Sequence, residues 1–594
     1  MKKVWKILLA AAILLLCVAL LPTQAQAATS GACGDNLVWT LDDEGTLTIS
    51  GNGAMASYDY RDNMAPWAEN RASITSVIIE EGVTSIGSYA FDTCTSLTRI
   101  TIPDSVTTIG EGAFYSCTGL VELTIPNSVT TLGDGAFYFC LNLASVNISS
   151  SVTDIGNMAF EGCVSLIGIL VNNANPVYSS DEMGFLFNKE KTLLIQAPGG
   201  FSGAYTIPSS VTDIDNSAFK YCLNLTSVVI PDSVTTIGDR AFEACSSLTS
   251  VTIPDSIITI SDGTFYCCTN LSSVEIPNSV TTIGDFAFRE CNNLTSVSIP
   301  EGVTTIGDQA FYACSSLVDV TISKSVTTIG ENAFYSCKSL TGIWVDEGNS
   351  AYCSDDKGVF FNKEKTSLIQ APSRLSGKYI IPDSVTTIGM YAFASCNGLT
   401  SVTIPDSVIT IGDSSFYFCS SLSEIVLPKG VNTIKVNAFR GCNRLLTIYH
   451  KGSKADWDSM VIESGNEFLE NATVIHNYSD CMHSYDVVET KPATCAEAGV
   501  KTFTCTACGD SFTEEIAKLT THSYADGTCT VCGGSDPDYV PPVDNPEPSD
   551  PSTEPSEPSE PSEPVEPDAP ANENFFMKII NAIIAFLMRL FGIK

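Results

Sequence analysis

The chain has 594 residues, of which 44% are hydrophobic and 16% charged, with 30 Lys and Arg against 67 Asp and Glu. A formal net charge of −37 excludes nonspecific nucleic-acid binding, because a polyanion is repelled by such a surface rather than condensed onto it. That length would ordinarily mean several compact domains, but a strong internal period overrides the expectation.

Residues 1–27 carry Lys2, Lys3 and Lys6, then the apolar run Ile7 to Leu21, then Ala25-Gln26-Ala27. This is the pattern of a secretory signal with an A-x-A cleavage site, so the mature chain is expected to start near Ala28, outside the cytoplasm. Cys17 follows a run of leucines rather than the small residue of a lipoprotein site, which argues against lipidation.

Thirteen Phe-x-x-Cys units follow, at Phe91, Phe114, Phe137, Phe160, Phe219, Phe242, Phe265, Phe288, Phe311, Phe334, Phe393, Phe416 and Phe439, almost always 23 residues apart. A 23-residue unit cannot bury its apolar face alone, so neighbouring units must stack into a solenoid with continuous side-chain ladders. In the unit that begins at Leu248, Val251 and Ile253 alternate with Ser250 and Thr252 as a short half-buried strand requires. Pro254 ends the strand, Asp255 and Ser256 favour a turn, and Ile257, Ile260, Phe265, Cys268 and Leu271 return to the core. Gly238, Gly284, Gly307 and Gly330 recur after the Ile of Val-Thr-Thr-Ile, where a bend needs either positive φ or close backbone approach. The fold class is therefore a mainly β repeat solenoid of stacked short parallel strands.

The run Ile-Pro-Asp-Ser-Val-Thr-Thr-Ile-Gly-Asp-x-Ala-Phe-x-x-Cys-x-x-Leu resembles the BspA-like leucine-rich repeat family of bacterial surface proteins. The resemblance covers 74–450 and implies a leucine-rich repeat array. Residues 28–73, with Cys33, Trp39 and Ala65-Pro66-Trp67, look like that family's N-terminal cap, and 451–478 is expected to cap the other end. Two intervals of 59 residues break the period, giving related insertions at 168–207 and 342–381. Gly184-Phe185-Leu186-Phe187-Asn188-Lys189 matches Gly358-Val359-Phe360-Phe361-Asn362-Lys363, and each reads as strand, Asn-Lys turn, strand. Such a segment is either an irregular coil with an excursion or a specificity loop.

Thirteen of the 23 cysteines sit three residues after the repeat Phe. Stacking spaces such a column by about 4.8 Å, and a ladder of buried thiols keeps the coils equivalent where alternate disulfides would not. A second population lies in a small module at 479–535. There Cys505-x-x-Cys508 and Cys529-x-x-Cys532 have zinc-ribbon-like spacing, and four thiolates complete a closed tetrahedral Zn²⁺ site that holds the module together. His483, Cys495 and His522 offer a second grouping, with His483, Cys495, Cys505 and Cys508 on one ion and His522 with the last Cys pair on another. Short-loop disulfides are the remaining alternative.

Residues 536–573 hold a Pro-Ser-Glu repeat with no apolar pattern, which makes an extended, disordered acidic linker. Residues 574–594 form an apolar segment with Lys578, Asn581 and Arg589 on one side, expected as a helix at a membrane surface. No Leu-Pro-x-Thr-Gly sorting motif is present in the sequence.

All four histidines lie outside the regular repeats, and no zinc-protease, phosphate-loop or dinucleotide motif occurs, so a non-enzymatic protein is expected. The outward strand rows, including Ser250, Thr252, Ser273, Glu275, Ser296, Ser298, Asp319 and Thr321, would instead form a rigid polar plane. With the family resemblance, this implies a secreted or cell-surface adhesin that binds extracellular proteins or glycans. A structural stalk without a ligand, and a glycan-binding accessory to extracellular enzymes, are the alternatives. The second requires exposed aromatics, of which Trp344 and Tyr352 are the candidates.

Overall fold

The computed structural model describes residues 29–478, 485–505, 511–525 and 528–537. The leader, nearly all of the acidic spacer and the apolar segment at 574–594 lie outside the described residues. The chain divides into two compact units at 480/481. In the first, each coil contributes a strand of three or four residues to one parallel sheet and a two-residue Thr-Ile strand to another. Ser250–Thr252 pairs with Ser273–Glu275 in register, and Thr259–Ile260 with Thr282–Ile283, each 23 residues on. Val251 and Ile260 point inward and are buried, while Ser250 and Thr252 are exposed.

Behind the sheets runs a column of fully buried phenylalanines. Phe242, Phe265, Phe288, Phe311 and Phe334 stack with centroids 5.2–5.6 Å apart and planes within 14° of parallel. This is the offset geometry aromatic rings prefer, and burial of each ring contributes up to about 3 kcal/mol. Beside it stands the thiol ladder. Cys268 Sγ donates to Phe242 O at 3.1 Å and Cys291 Sγ to Phe265 O at 3.2 Å, a pattern repeated along the solenoid. Every ladder cysteine is free and buried, and burial pushes these thiols up, Cys94 and Cys163 to about 12. The S–H therefore serves as a second donor to a carbonyl that already accepts a backbone N–H of its own coil, as Phe242 O does from Cys245 N.

The third side of each coil is neither helix nor strand. Residues two before and two after the Phe sit at positive φ, for example Phe286 at 59° and Glu290 at 61° around Phe288. For non-glycine residues this region costs roughly 1–2 kcal/mol each. It aims three alternate N–H groups at the next coil: Phe286 N donates to Asp308 O, Phe288 N to Ala310 O and Glu290 N to Tyr312 O, at 2.8–2.9 Å. The recurrent glycines are not the positive-φ residues. Their role is close approach: a methyl on Gly307 would stand 2.6 Å from Asp285 N and Gly284 C. The following aspartate completes the same joint, since Asp285 Oδ1 accepts from Asp308 N at 2.7 Å and Asp308 Oδ1 from Glu331 N at 2.7 Å.

Both insertions fold as irregular coils. Tyr178–Ser180, Leu186–Asn188 and Leu193–Gln196 form an antiparallel meander, and Tyr352–Ser354, Phe360–Asn362 and Ser367–Gln370 repeat it with the same bulge. The Asn-Lys turn is held by Asn188 Oδ1, which accepts from Thr192 N and Leu193 N. Phe185, Leu186 and Phe187 are fully buried, so the middle strand fills the core. The buried core correspondingly forms three clusters that meet at the insertions.

The ends are closed differently. Thr29–Gly34, Leu37–Leu41 and Thr46–Gly51 form an antiparallel meander whose last strand pairs parallel with Ser76–Ile79. Trp67 stacks on Phe91 at 5.8 Å, heading the Phe column, and its Nε1 donates to Ala90 O at 2.8 Å. At the far end Asn437 N donates to Ser464 O, and Asn466 Oδ1 accepts from Phe439 N at 2.9 Å. The second unit contains the antiparallel strands Tyr485–Lys491, Gly499–Cys505 and Ser511–Ile516 and the pair Tyr524–Ala525 and Thr528–Cys529. Among the described residues no helix is long and apolar enough to cross a membrane.

Two outcomes follow from this packing. Gly307→Ala should force adjacent coils apart and cost about 1–3 kcal/mol, read as a lower denaturation midpoint. Alkylation of the folded chain in the presence of a chelator should leave Cys117 through Cys442 of the ladder unmodified while the exposed Cys532 reacts, and unfolding should release the whole column to mass-spectrometric labelling.

Candidate metal centre and binding face

In the second unit, four side chains that are distant in sequence converge. The hairpin of Tyr524–Ala525 and Thr528–Cys529 carries Cys529, and a tight turn through Gly533, at φ 72°, brings Cys532 back beside it. Cys495 enters from the connection between Tyr485–Lys491 and Gly499–Cys505. Cys495 Sγ lies 3.4 Å from Cys529 Sγ, and Cys532 Sγ lies 3.3 Å from His522 Nδ1. The four ligand atoms all fall within 4.8 Å of one another. Ligands around a tetrahedral Zn²⁺ with Zn–S near 2.3 Å stand about 3.8 Å apart, so the donor set and spacing fit such an ion.

The electrostatics suit a cation as well. Backbone N–H groups of Cys532 and Val531, with His522, pull the Cys529 thiol down to about 5. Desolvation and its neighbouring sulfurs push Cys495 up to about 11. A thiolate beside a protonated thiol is the arrangement a soft cation resolves by displacing the proton.

The structure thus joins Cys529 and Cys532 to Cys495 and His522. Cys508 and His483 lie outside the described residues, and Cys505 is described only in its backbone, at the end of its strand. The spacing of the two Cys-x-x-Cys pairs drew attention to Cys505 and Cys508 first. The convergence of Cys495 depends on a chain reversal that spacing does not encode.

On the solenoid, Ser250, Thr252, Ser273, Glu275, Ser296, Ser298, Asp319 and Thr321 are all exposed on the strand face. Registered pairs align them across coils: Ser250 with Ser273, Thr252 with Glu275, Ser296 with Asp319 and Ser298 with Thr321. Trp344 continues the row opposite Thr321, 38% exposed, and its Nε1 donates to Asp319 Oδ1 at 3.2 Å. It folds over Gly342, whose missing side chain leaves the space the indole occupies. Tyr352 is half-buried and its hydroxyl accepts from Ile329 N at 3.0 Å, which makes it a packing residue.

Half-buried aromatics gather on the third side instead, at positions the sequence reading passed over. Tyr115 and Tyr138 stack at 5.0 Å, Tyr312 and Tyr335 lie 5.4 Å apart, and Arg289 sits 4.4 Å over Tyr312. The available signal was the residue after each repeat Phe, which is Tyr in six coils.

A family model for the BspA type leucine rich repeat region matches in six copies, over residues 69–180, 206–353 and 357–475. The chain belongs to this BspA-type family. A leucine-rich repeat protein from Eubacterium ventriosum is 26% identical, with 56% of this chain and 99% of that one covered at a TM-score of 0.45. A leucine rich cell surface protein from Faecalibacterium prausnitzii is 27% identical over 54% of this chain and 95% of its own, at a TM-score of 0.34. A leucine-rich repeat protein from Bacteroides ovatus is 24% identical over 75% of this chain and 99% of its own, at a TM-score of 0.32. No curated protein matches.

Proposed function

We propose that this BspA-type protein is an exported, cell-surface adhesin whose strand face docks extracellular proteins or glycans. The observation that carries the reading is the registered plane of exposed hydroxyl and carboxylate side chains from Ser250 to Thr321. A rigid parallel sheet presents these groups already ordered, so docking an extended partner costs little conformational entropy. The leader at 1–27 supports export, and the apolar segment at 574–594 would hold the chain at a membrane surface beyond its acidic spacer. Catalysis has no support in the Phe-x-x-Cys coils from Phe91 to Cys442, which contain no histidine to activate a nucleophile.

The test is saturable binding of the purified chain to arrayed extracellular-matrix proteins and glycans. Replacing Glu275 and Asp319 together by Lys should weaken binding by roughly tenfold, about 1.4 kcal/mol. Silence across both arrays would instead favour a structural stalk.

The Cys-rich module is proposed to hold one structural Zn²⁺ through Cys495, His522, Cys529 and Cys532. Four protein ligands leave no open position, so the ion would contribute folding energy rather than chemistry. Metal analysis of the full chain should give zinc that is lost in Cys529→Ser and in Cys495→Ser and kept in Cys508→Ser. Loss in Cys508→Ser with retention in Cys495→Ser would point to the ribbon set with Cys505 and Cys508.

A further inference from the structure

The inter-coil backbone ladder on the third side is interrupted at two places. In each regular coil the N–H groups of the Phe and of the residues two before and two after it donate to the next coil, as Gln309 N does to Glu331 O, Phe311 N to Ala333 O and Ala313 N to Tyr335 O. In the coils that precede the insertions, no acceptor among the described residues takes the N–H groups of Met158, Phe160 and Gly162, or of Asn332, Phe334 and Ser336. Each insertion passes through the sheets and the core but supplies no carbonyl row there. On this side its main chain bonds forward, through Ala197 N to Ala218 O and Ala371 N to Ala392 O.

The two junctions are not alike. At the first, side chains fill the gap: Lys220 Nζ lies 3.0 Å from the fully buried Glu161 carboxylate and 3.4 Å from Glu243, and Phe139 reaches past Gly162 to Tyr221 at 5.2 Å. At the second, Tyr335 stands where Glu161 does, and a cleft of about 350 Å³ opens between the donor coil and the next regular coil. The donor coil lines one side through Asn332, Phe334 and Tyr335, Met390 and Tyr391 line the other, and the Tyr335 and Tyr391 rings meet at 4.4 Å and close one end. Phe360 and Ile369 add apolar surface, and Gln370 bonds back to Phe334 O at 2.8 Å. Asn332 and Ser336 keep the positive φ, 56° and 65°, that aims alternate N–H groups to one side in every other coil.

We propose that this cleft binds an extended peptide segment of a partner protein, whose backbone carbonyls take the place of the absent coil. Three donors on alternate residues call for acceptors of the same repeat, and an extended chain presents carbonyls to one side on every second residue, about 7 Å apart. Open main-chain donors in a partly buried setting are costly, and those of Asn332 and Phe334, at the wall of a cleft large enough for side chains, with Ser336 just beyond it, make a recognition template. An apolar side chain of the segment would sit against Tyr335, Tyr391 and Ile369. The inference rests on the reading of this solenoid as a binder of extracellular proteins and adds the place and the chemistry of capture.

Hydrogen-exchange mass spectrometry on the full chain tests it, with peptides selected from a random dodecapeptide phage library panned on the same protein. Residues 330–337 should exchange at least about tenfold faster than the equivalent segment 307–314, whose donors are bonded. A selected peptide should slow exchange at 330–337, and Met390→Trp, which fills the cleft from an exposed rim position, should weaken that peptide by tenfold or more. Equal protection of the two segments without ligand overturns the proposal, as does failure of the library to yield a peptide that protects 330–337. Binders that protect only the strand rows overturn it while leaving the strand-face reading intact. Protection of 330–337 by an arrayed glycan and by no peptide overturns it in favour of a saccharide site.

Discussion

Every coil of this solenoid depends on the backbone joint to its neighbour. Three N–H groups of each regular coil reach the next one because two flanking residues accept left-handed conformations that side chains disfavour. Stacking makes that possible: an isolated coil would bear the torsional cost with no bond in return, while a stacked coil converts it into three hydrogen bonds. The glycine and aspartate that follow Thr-Ile serve the same joint, one by leaving room for the neighbouring main chain and the other by accepting its N–H.

Side-chain columns follow from this spacing. Phe rings stack because coils repeat at a distance near ring contact, and the Cys beside each ring fits because a thiol is small enough for the column and polar enough to bond one carbonyl. An alanine there would leave that carbonyl with only its backbone bond, as from Cys245 N to Phe242 O, and a serine would bury a stronger dipole. The ladder thiols are accordingly packing groups with raised pKa values, in contrast to Cys529, where backbone N–H groups favour the thiolate. One residue type thus plays two roles, divided by whether carbonyls or amides face the sulfur.

The insertions show what a repeat protein gains by breaking its period. Both copies keep the core filled, through Phe185 and Phe187 in one and Phe360 and Phe361 in the other, while ending the third-side ladder. The same break is sealed by ions and aromatics around Glu161 and left as a cleft beside Tyr335. The two joints differ at several repeat positions: Glu161, Lys220 and Tyr221 of the closed one are replaced by Tyr335, Ala394 and Ser395 in the open one.

Much of the fold was legible in the sequence because a 23-residue period, with Val and Ile alternating against Ser and Thr, admits only stacked short strands. The repeat Phe, the buried thiol column and the exposed polar rows can all be read from position within the period. Periodicity could not show which residues would take positive φ, since Phe286, Arg240 and Asn332 share that conformation without sharing chemistry. Nor could spacing bring Cys495 to His522, Cys529 and Cys532, because a metal site is assembled by chain reversal across 34 residues. The sequence by itself determined the repeating unit, since local patterns recur in register. Only the tertiary structure decided where the stacking stops, because the loss of a hydrogen-bonded neighbour is a relation between coils and is written in neither one.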